Sequence, residues 1–554
     1  MSIYTFSSLK RAECFAALAK EPLDLLIIGG GITGAGILLD AVTRGLKVGL
    51  VEMKDFASGT SSKSTKLIHG GLRYLKQLEF RLVREVGKER AVLHRNAPHL
   101  VIPVKMFLPI VEGGSLGKFS TAIALWVYDR LAGVEKEERF RMYNASKVPS
   151  LEPLLNMEGV KGGALYVEYR TDDARLTIET LKTAVEKGAM AINYAKAISI
   201  LYKNGQAAGA QVFDTIRQES YDIYAKRVVN AAGPWVDEVR GLDEEVKGKR
   251  LHLTKGIHLV VPFEKLPLQH AVYFDVFDGR MIFAIPRGRI TYIGTTDTNY
   301  ASPDHNPTIT SEDISYVLNA VNRMFTNSPL RKQDILSTWA GLRPLIHEDG
   351  KSPSELSRKD EIFYANSGLI SIAGGKLTGF RKMAERVVDV VLKSLKKEGA
   401  ISSIPSCQTD KIRLKGNTFQ SAQEVKKYII GIAEQYKAQG IDEKTAEYLV
   451  HNYGHQTGEI LAKQAAFLQK EYDTEEALIL AEVDFCIRHE MVTRLDDFWV
   501  RRTGRLYFNR PSMERLMPVV GEYVTELFGW DTSRQTDENL LLAKMYHEVL
   551  KTAR

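Results

Sequence analysis

The feature that most constrains this chain is a glycine turn, Gly29-Gly30-Gly31-Ile32-Thr33-Gly34, set between a strand and a helix. Before it, Leu23-Asp24-Leu25-Leu26-Ile27-Ile28 is apolar on both faces apart from Asp24, the pattern of a strand covered from above and below. After it, Ala35 to Arg44 reads as a helix that Gly45 can cap, and Lys47 to Glu52 as a second strand. The whole is a βαβ unit with G-x-G-x-x-G at its strand-to-helix turn. Gly29 makes the tight turn, Gly31 lets a pyrophosphate approach the backbone, and Gly34 lets helix and strand close on each other. The helix N-terminus offers N–H groups and a positive dipole end to phosphates. Glu52, ending the second strand, is placed to accept hydrogen bonds from an adenosine ribose. A dinucleotide-binding α/β domain follows. The unit alone does not separate NAD from FAD.

The next segment narrows the choice. Ser58 to Leu75 is dense in small, hydroxyl and glycine residues, and it follows the second strand, where an extended FAD passes on its way to the flavin. Within it, Thr60-Ser61-Ser62 and Lys66-Leu67-Ile68-His69-Gly70-Gly71-Leu72-Arg73-Tyr74-Leu75 resemble the signature of the FAD-dependent glycerol-3-phosphate dehydrogenase family. The resemblance continues through Lys255-Gly256-Ile257-His258, Ile293-Gly294-Thr295-Thr296-Asp297, and two C-terminal blocks, Glu482 to Glu490 and Asp496 to Thr503. It implies FAD as cofactor and hydride transfer from C2 of sn-glycerol 3-phosphate to flavin N5. It also implies a membrane quinone as acceptor, reached by peripheral docking on a membrane surface from the cytoplasmic side. The cofactor contacts expected in the loop are Thr60, Ser61, Ser62, Lys66, Leu67, His69, Gly70 and Gly71.

Two later segments return to the cofactor. The β-branched run to Asn230-Ala231-Ala232-Gly233 ends in small residues, as where a flavoprotein chain passes the adenine end of FAD, so Ala232 and Gly233 join the contacts. Leu369 to Gly374 and a helix from about 379 to 396 frame a second strand–glycine–helix element, adding Gly375, Lys376, Leu377 and Thr378. The family pattern has a second threonine where this chain has Gly379, and Tyr or Trp where it has Phe380. Between these elements, 253–262, 281–286 and 290–297 read as strands of an antiparallel sheet over the flavin. The expected architecture is a two-dinucleotide-binding flavoprotein domain with an antiparallel substrate sheet, over 1–400. FAD-binding parts fall at about 20–85, 160–250 and 345–400, and substrate parts at 86–159 and 251–344. An all-α C-terminal domain spans 407–554.

Oxidising a secondary alcohol needs a hydride acceptor, a proton acceptor and a hold on the phosphate. By resemblance, Arg73, Arg343 and Arg358 are the phosphate ligands with Tyr74 as a hydroxyl donor, since arginine forks bind phosphate oxygens in pairs. His258 is the candidate base. Lys376 and Arg343 complete the catalytic set by binding hydroxyls or stabilising developing negative charge.

Composition excludes other classes. Cys14, Cys407 and Cys486 form no Cys-x-x-Cys pair, which argues against a cysteine metal site or a disulfide framework, and no metal is expected. A net charge of +7 without a concentrated basic tract gives no nucleic-acid footprint. No apolar run approaches the roughly 20 residues a bilayer span needs. Val101 to Leu108 and Lys118 to Leu131 are candidate membrane-docking stretches. An oxygen-using oxidase, a flavin-bound scaffold and a nicotinamide-only dehydrogenase stay open as alternatives, as does a homodimer.

Overall fold

The computed structural model describes residues 5–69, 79–114, 117–132, 138–302, 304–347 and 360–551. Leu23–Ile28 is the central strand of a largely parallel sheet. The order across that sheet is Asp360–Tyr364, Ile370–Gly374, Glu219–Asn230, Leu23–Ile28, Val48–Val51 and Met190–Ile192. Only Asp360–Tyr364 runs against its neighbour along this path. Residues Leu25, Leu26 and Ile27 are fully buried, as the two-faced apolar run requires. The glycine-turn helix begins three residues earlier than expected, at Ile32, and runs to Thr43. It is sandwiched between Phe380–Lys397 and Asp173–Glu186. Strand order reverses beside Leu23–Ile28, so the carboxyl ends of the sheet open a crevice there.

A second sheet carries Leu251–Pro262, Ile290–Gly294, Met281–Arg287, Ala271–Asp275, Ile102–Val111 and Val160–Arg170, with Ser337–Ile346 beside Leu251–Pro262. It departs from a purely antiparallel sheet at one seam, where Ala271–Val272 pairs in parallel with Met106–Phe107. The stretch Val101 to Leu108 is therefore part of the core: Met106, Phe107 and Leu108 are buried in it, and it cannot serve as a docking surface.

The C-terminal region is helical, through Ala422–Gln435, Glu443–Tyr453, Thr457–Phe467, Thr474–His489, Arg510–Phe528 and Thr532–Lys551. Arg510–Phe528 is one helix although Pro511 and Pro518 look like helix breakers in the sequence. Pro511 sits in the first turn, where no donor is lost, and Pro518 is tolerated inside a long amphipathic helix. Arg501 and Arg502, on a wide helical turn at Asp497–Arg502, face neither the crevice nor solvent. Both bond the buried carboxylate of Asp55, which follows the second strand of the nucleotide unit. Nearby, Glu490 takes Arg175 at 2.5 and 2.8 Å and Lys182 at 2.8 Å. The helical region is thus fastened to the nucleotide-binding region through buried ion pairs.

Burial would raise the Asp55 carboxyl, but the guanidiniums of Arg502 and Arg501 overcome it and hold it at about 2. A depressed carboxylate contributes stability above its unfolded value of 3.8, and that contribution is lost as pH falls through about 2. Asp55→Ala leaves two buried guanidiniums short of a counter-charge and is expected to cost about 3 kcal/mol. Thermal unfolding of the variant should begin several degrees lower. An unchanged midpoint would show that the network carries no net stability.

Candidate active site

A cavity of about 710 Å³ joins the two sheets. One end is lined by Gly29, Gly31, Ile32, Thr33 and Glu52, so the first turn of the Ile32–Thr43 helix opens onto it. Gly29 has φ +116° because the chain doubles back there, and a Cβ would lie 2.6 Å from Ala231 O. A Cβ on Gly34 would meet Gly29 O at 1.9 Å, so Gly34 supports the turn from behind and is not on the cavity wall. The Glu52 carboxylate accepts from Gly30 N–H at 2.6 Å and Lys54 N–H at 2.9 Å, which fixes its position facing the cavity. Burial raises its carboxyl despite those bonds.

The hydroxyl loop is held against this turn. Ser61 Oγ accepts from Ile32 N–H at 3.0 Å, tying the loop to the helix N-terminus. Thr60 donates to Leu342 O at 2.7 Å and so bridges to the second sheet. Thr60, Ser61, Leu67 and His69 line the cavity. Ser62 and Lys66 do not: the buried Lys66 ammonium bonds Asp173 at 2.5 Å and Ser62 O at 3.1 Å, which shapes the loop from inside. Ala232, Gly233, Gly375, Lys376, Leu377 and Thr378 complete this wall. A Cβ at Gly379 would meet nothing within 4 Å, so the departure from the family's threonine removes a side chain without closing a gap. Gly70, Gly71, Arg73, Tyr74 and Arg358 lie outside the described residues.

At the far end, Leu251–Pro262 pairs with Ile290–Gly294 on one side and Ser337–Ile346 on the other. This register brings His258 opposite Gly294 and Trp339, and Arg343 opposite Thr254. A Cβ on Gly294 would meet the imidazole at 2.3 Å, and one on Gly256 would meet Arg343 Nη2 at 2.3 Å. Each functional side chain thus lies across a glycine. His258 stacks on Trp339 at 4.6 Å and 10° between planes. Its Nε2 lies 3.0 Å from Thr65 Oγ1, while its buried Nδ1 has no hydrogen-bond partner among the described residues. Burial first, then the charges of Arg343 and Lys66, push the imidazole well below its usual value, so it is neutral. In the neutral tautomer whose Nε2–H donates to Thr65 Oγ1, Nδ1 keeps its lone pair. Arg343 donates from Nη1 to Thr296 O at 3.0 Å and Asp297 at 3.1 Å, and from Nη2 to Thr295 Oγ1 at 2.8 Å. A positive fork and a neutral acceptor therefore share one wall.

Thr65, Trp339 and Asp297 are functional neighbours that the sequence did not single out: strand register places Trp339 beside His258, and loop contacts bring Thr65 to His258 and Asp297 to Arg343. Lys63 is another. It lines the cavity, and burial, then the charges of Lys54 and Arg501, bring its ammonium down to about 8. Gly294→Ala should displace the His258 ring and lower turnover roughly tenfold to a hundredfold, as misplacement of a reacting group does. Retained flavin with unchanged turnover would show that the ring tolerates the shift.

The cavity fits an extended dinucleotide on three counts. Glycines clear its backbone wall, a helix N-terminus opens onto it, and the half-buried Glu52 carboxylate sits at the end of the second strand, where an adenosine ribose would lie. The fold and site define an FAD-dependent oxidoreductase of the two-dinucleotide-binding type. Comparison with known proteins agrees. Residues 24–381 match the FAD dependent oxidoreductase family, and 407–535 match the C-terminal domain of alpha-glycerophosphate oxidase. The aerobic glycerol-3-phosphate dehydrogenase of Bacillus subtilis (strain 168) is 48% identical over 551 residues, covering 99% of each chain. That of Staphylococcus aureus (strain USA300) is 51% identical over 507 residues, covering 91% of this chain and 90% of its own. The crystal structure of glycerol-3-phosphate dehydrogenase from Bacillus halodurans, complexed with FAD, superposes with a TM-score of 0.84 at 42% identity and 98% coverage of both chains. The chain belongs to the aerobic glycerol-3-phosphate dehydrogenase family, and its cofactor is FAD.

Proposed function

We propose that this enzyme oxidises sn-glycerol 3-phosphate to dihydroxyacetone phosphate and passes the electrons to a membrane quinone. The observation that carries the reading is the neutral His258 beside the Arg343 fork, in a cavity whose other end is the nucleotide turn. Bound FAD supplies the two-electron acceptor for the substrate's C2 hydrogen. Arg343 holds the phosphate dianion by paired, charge-assisted hydrogen bonds, joined by Arg73, Arg358 and the Tyr74 hydroxyl. His258, on the cavity wall, accepts the C2 hydroxyl proton, with Thr65 Oγ1 holding the ring at Nε2. Lys376, on the cavity wall, steadies the negative charge that develops as the substrate is oxidised. Glu52 and the first turn of the Ile32–Thr43 helix hold the adenosine ribose and pyrophosphate, while Ser61 locks the hydroxyl loop onto that turn.

A more apolar lobe beside this end, with Met106, Leu108, Tyr166, Tyr273 and Phe283 on its wall, suits a quinone ring better than free water. The decisive experiment is the anaerobic visible spectrum of the purified holoenzyme with and without glycerol 3-phosphate. Bleaching of the oxidised-flavin bands is expected, followed by their return on adding a quinone. Bands that persist at saturating substrate would refute the substrate. Rapid reoxidation by oxygen and not by quinone would refute the acceptor.

A further inference from the structure

Arg170 and Arg287 form a cationic pair at the edge of the second sheet that the nearby carboxylates do not balance. Arg170 ends the strand Val160–Arg170, and Arg287 ends Met281–Arg287. The pairings that link these strands run antiparallel, parallel and antiparallel, so both point the same way and finish at one edge. Arg287 donates from Nη2 to Asp172 at 3.2 Å and lies 4.2 Å from the Phe508 ring centre. Its buried Nη1 has no hydrogen-bond partner among the described residues. The half-buried Arg170 guanidinium has neither a hydrogen-bond nor an ion partner among them. Burial first, then the positive charge of Arg287, bring it down to about 10.

The local charges fall one short. Lys66, Arg170 and Arg287 share the carboxylates of Asp172 and Asp173. Lys66 takes Asp173 at 2.5 Å, while Asp172 lies 3.7 Å from Lys66 and 3.2 Å from Arg287. Glu447, an acid near Arg170 on the C-terminal helices, is half exposed and lies 3.5 Å from His451. Like charges withdrawn from water without a counter-charge are costly, and native folds pair them. The missing partner here is an anion.

The two forks decide its chemistry. Each guanidinium presents N–H donors in a plane, which suits oxyanions better than a spherical halide. A phosphate carries oxygens in more than one plane, so one group can meet both forks, whereas a carboxylate is flat.

We infer that Arg170 and Arg287 form a second anion site, apart from the catalytic cavity, that takes a phosphate-type oxyanion, either inorganic phosphate or the phosphate of a small ester. Neither arginine lines the cavity, so the inference stands apart from the substrate reading. The site backs onto the hydroxyl loop. Tyr292 donates to Thr65 O at 3.1 Å, and Asp172 caps the helix Asp173–Glu186 by accepting from Arg175 N–H at 3.3 Å. An anion there ties the ends of both strands together beneath Phe508 of the C-terminal region.

The test follows the thermal midpoint of oxidised holoenzyme against inorganic phosphate, with sodium chloride at matched ionic strength alongside. In wild type the midpoint should rise with the logarithm of phosphate concentration once the site fills, and chloride should raise it far less. Arg170→Met removes a charge that makes no bond in the fold. Without phosphate, R170M should unfold no earlier than wild type, and titration calorimetry should count one phosphate fewer per chain. Phosphate entering the cavity is read separately, as a shift of the flavin bands that should be equal in both proteins. Dihydroxyacetone phosphate separates the two sources. If the R170M-sensitive site binds this ester more tightly than inorganic phosphate, the ester is its occupant; the reverse order assigns it to free phosphate. Equal stoichiometry and equal midpoint shifts in the two proteins overturn the inference, as does chloride matching phosphate. An R170M that unfolds earlier than wild type in phosphate-free buffer also overturns it, because Arg170 would then have its partner within the fold.

Discussion

His258→Asn is expected to slow anaerobic flavin reduction by glycerol 3-phosphate by ~10³-fold, within the range that loss of a general base produces. Flavin content and KM should change little. The imidazole is neutral because burial and the nearby charges of Arg343 and Lys66 disfavour its protonated form. The sign of the pH dependence follows. A histidine whose folded pKa is lowered stays neutral as pH drops through 6.5, whereas the same residue in the unfolded chain takes up a proton there. Its unfavourable contribution to stability is absent above 6.5 and grows as pH falls below it. The reduction rate at saturating substrate should therefore stay level from about pH 8 to below 6.5. An acid limb centred on 6.5 that disappears in His258→Asn would show an ordinary, solvated histidine and sink the argument from burial. A variant that reduces its flavin at the wild-type rate would remove His258 from the proton path altogether.

How legible this was in the sequence depends on the range of the interaction. Leu23–Ile28 was readable to the residue because a strand buried on both faces has no polar alternation to blur its ends. The glycine turn declared its own geometry, since φ +116° at Gly29 and a 1.9 Å approach at Gly34 leave almost no other residue possible. Family motifs brought Arg343 and His258 onto the list of candidates. That they share a wall comes from the pairing of Leu251–Pro262 with Ser337–Ile346, a register between segments roughly eighty residues apart that no local pattern encodes. Lys66 shows the opposite error. It sits inside the signature loop, and only the buried Asp173 that takes its charge reveals that it supports the loop from behind. Arg501 and Arg502 carry no local sign of burial, because their partner, Asp55, belongs to the other end of the chain.

Arg343→Ala should raise KM for glycerol 3-phosphate by ~10³-fold, the scale on which a paired, partly desolvated charge contact is lost. The fall in the limiting rate should be much smaller, because phosphate is held alike in ground and transition states. Arg343→Lys should recover only part of the loss, since an ammonium cannot reproduce the planar two-point contact. A structural account competes with this one. Arg343 also bonds Thr295, Thr296 and Asp297, so its removal could act by loosening Gly294 to Asp297 and, through them, the His258 ring that lies over Gly294. The two accounts separate in kinetics. Loosening of the segment misplaces the base, so it lowers the limiting rate and leaves KM nearly unchanged. It should also be insensitive to added guanidinium, which restores a positive fork to the cavity but no covalent tether. A large rise in KM that guanidinium partly reverses identifies Arg343 as the phosphate ligand. A lowered rate at unchanged KM, without rescue, would reduce it to a positioning residue for the strand end that carries Gly294.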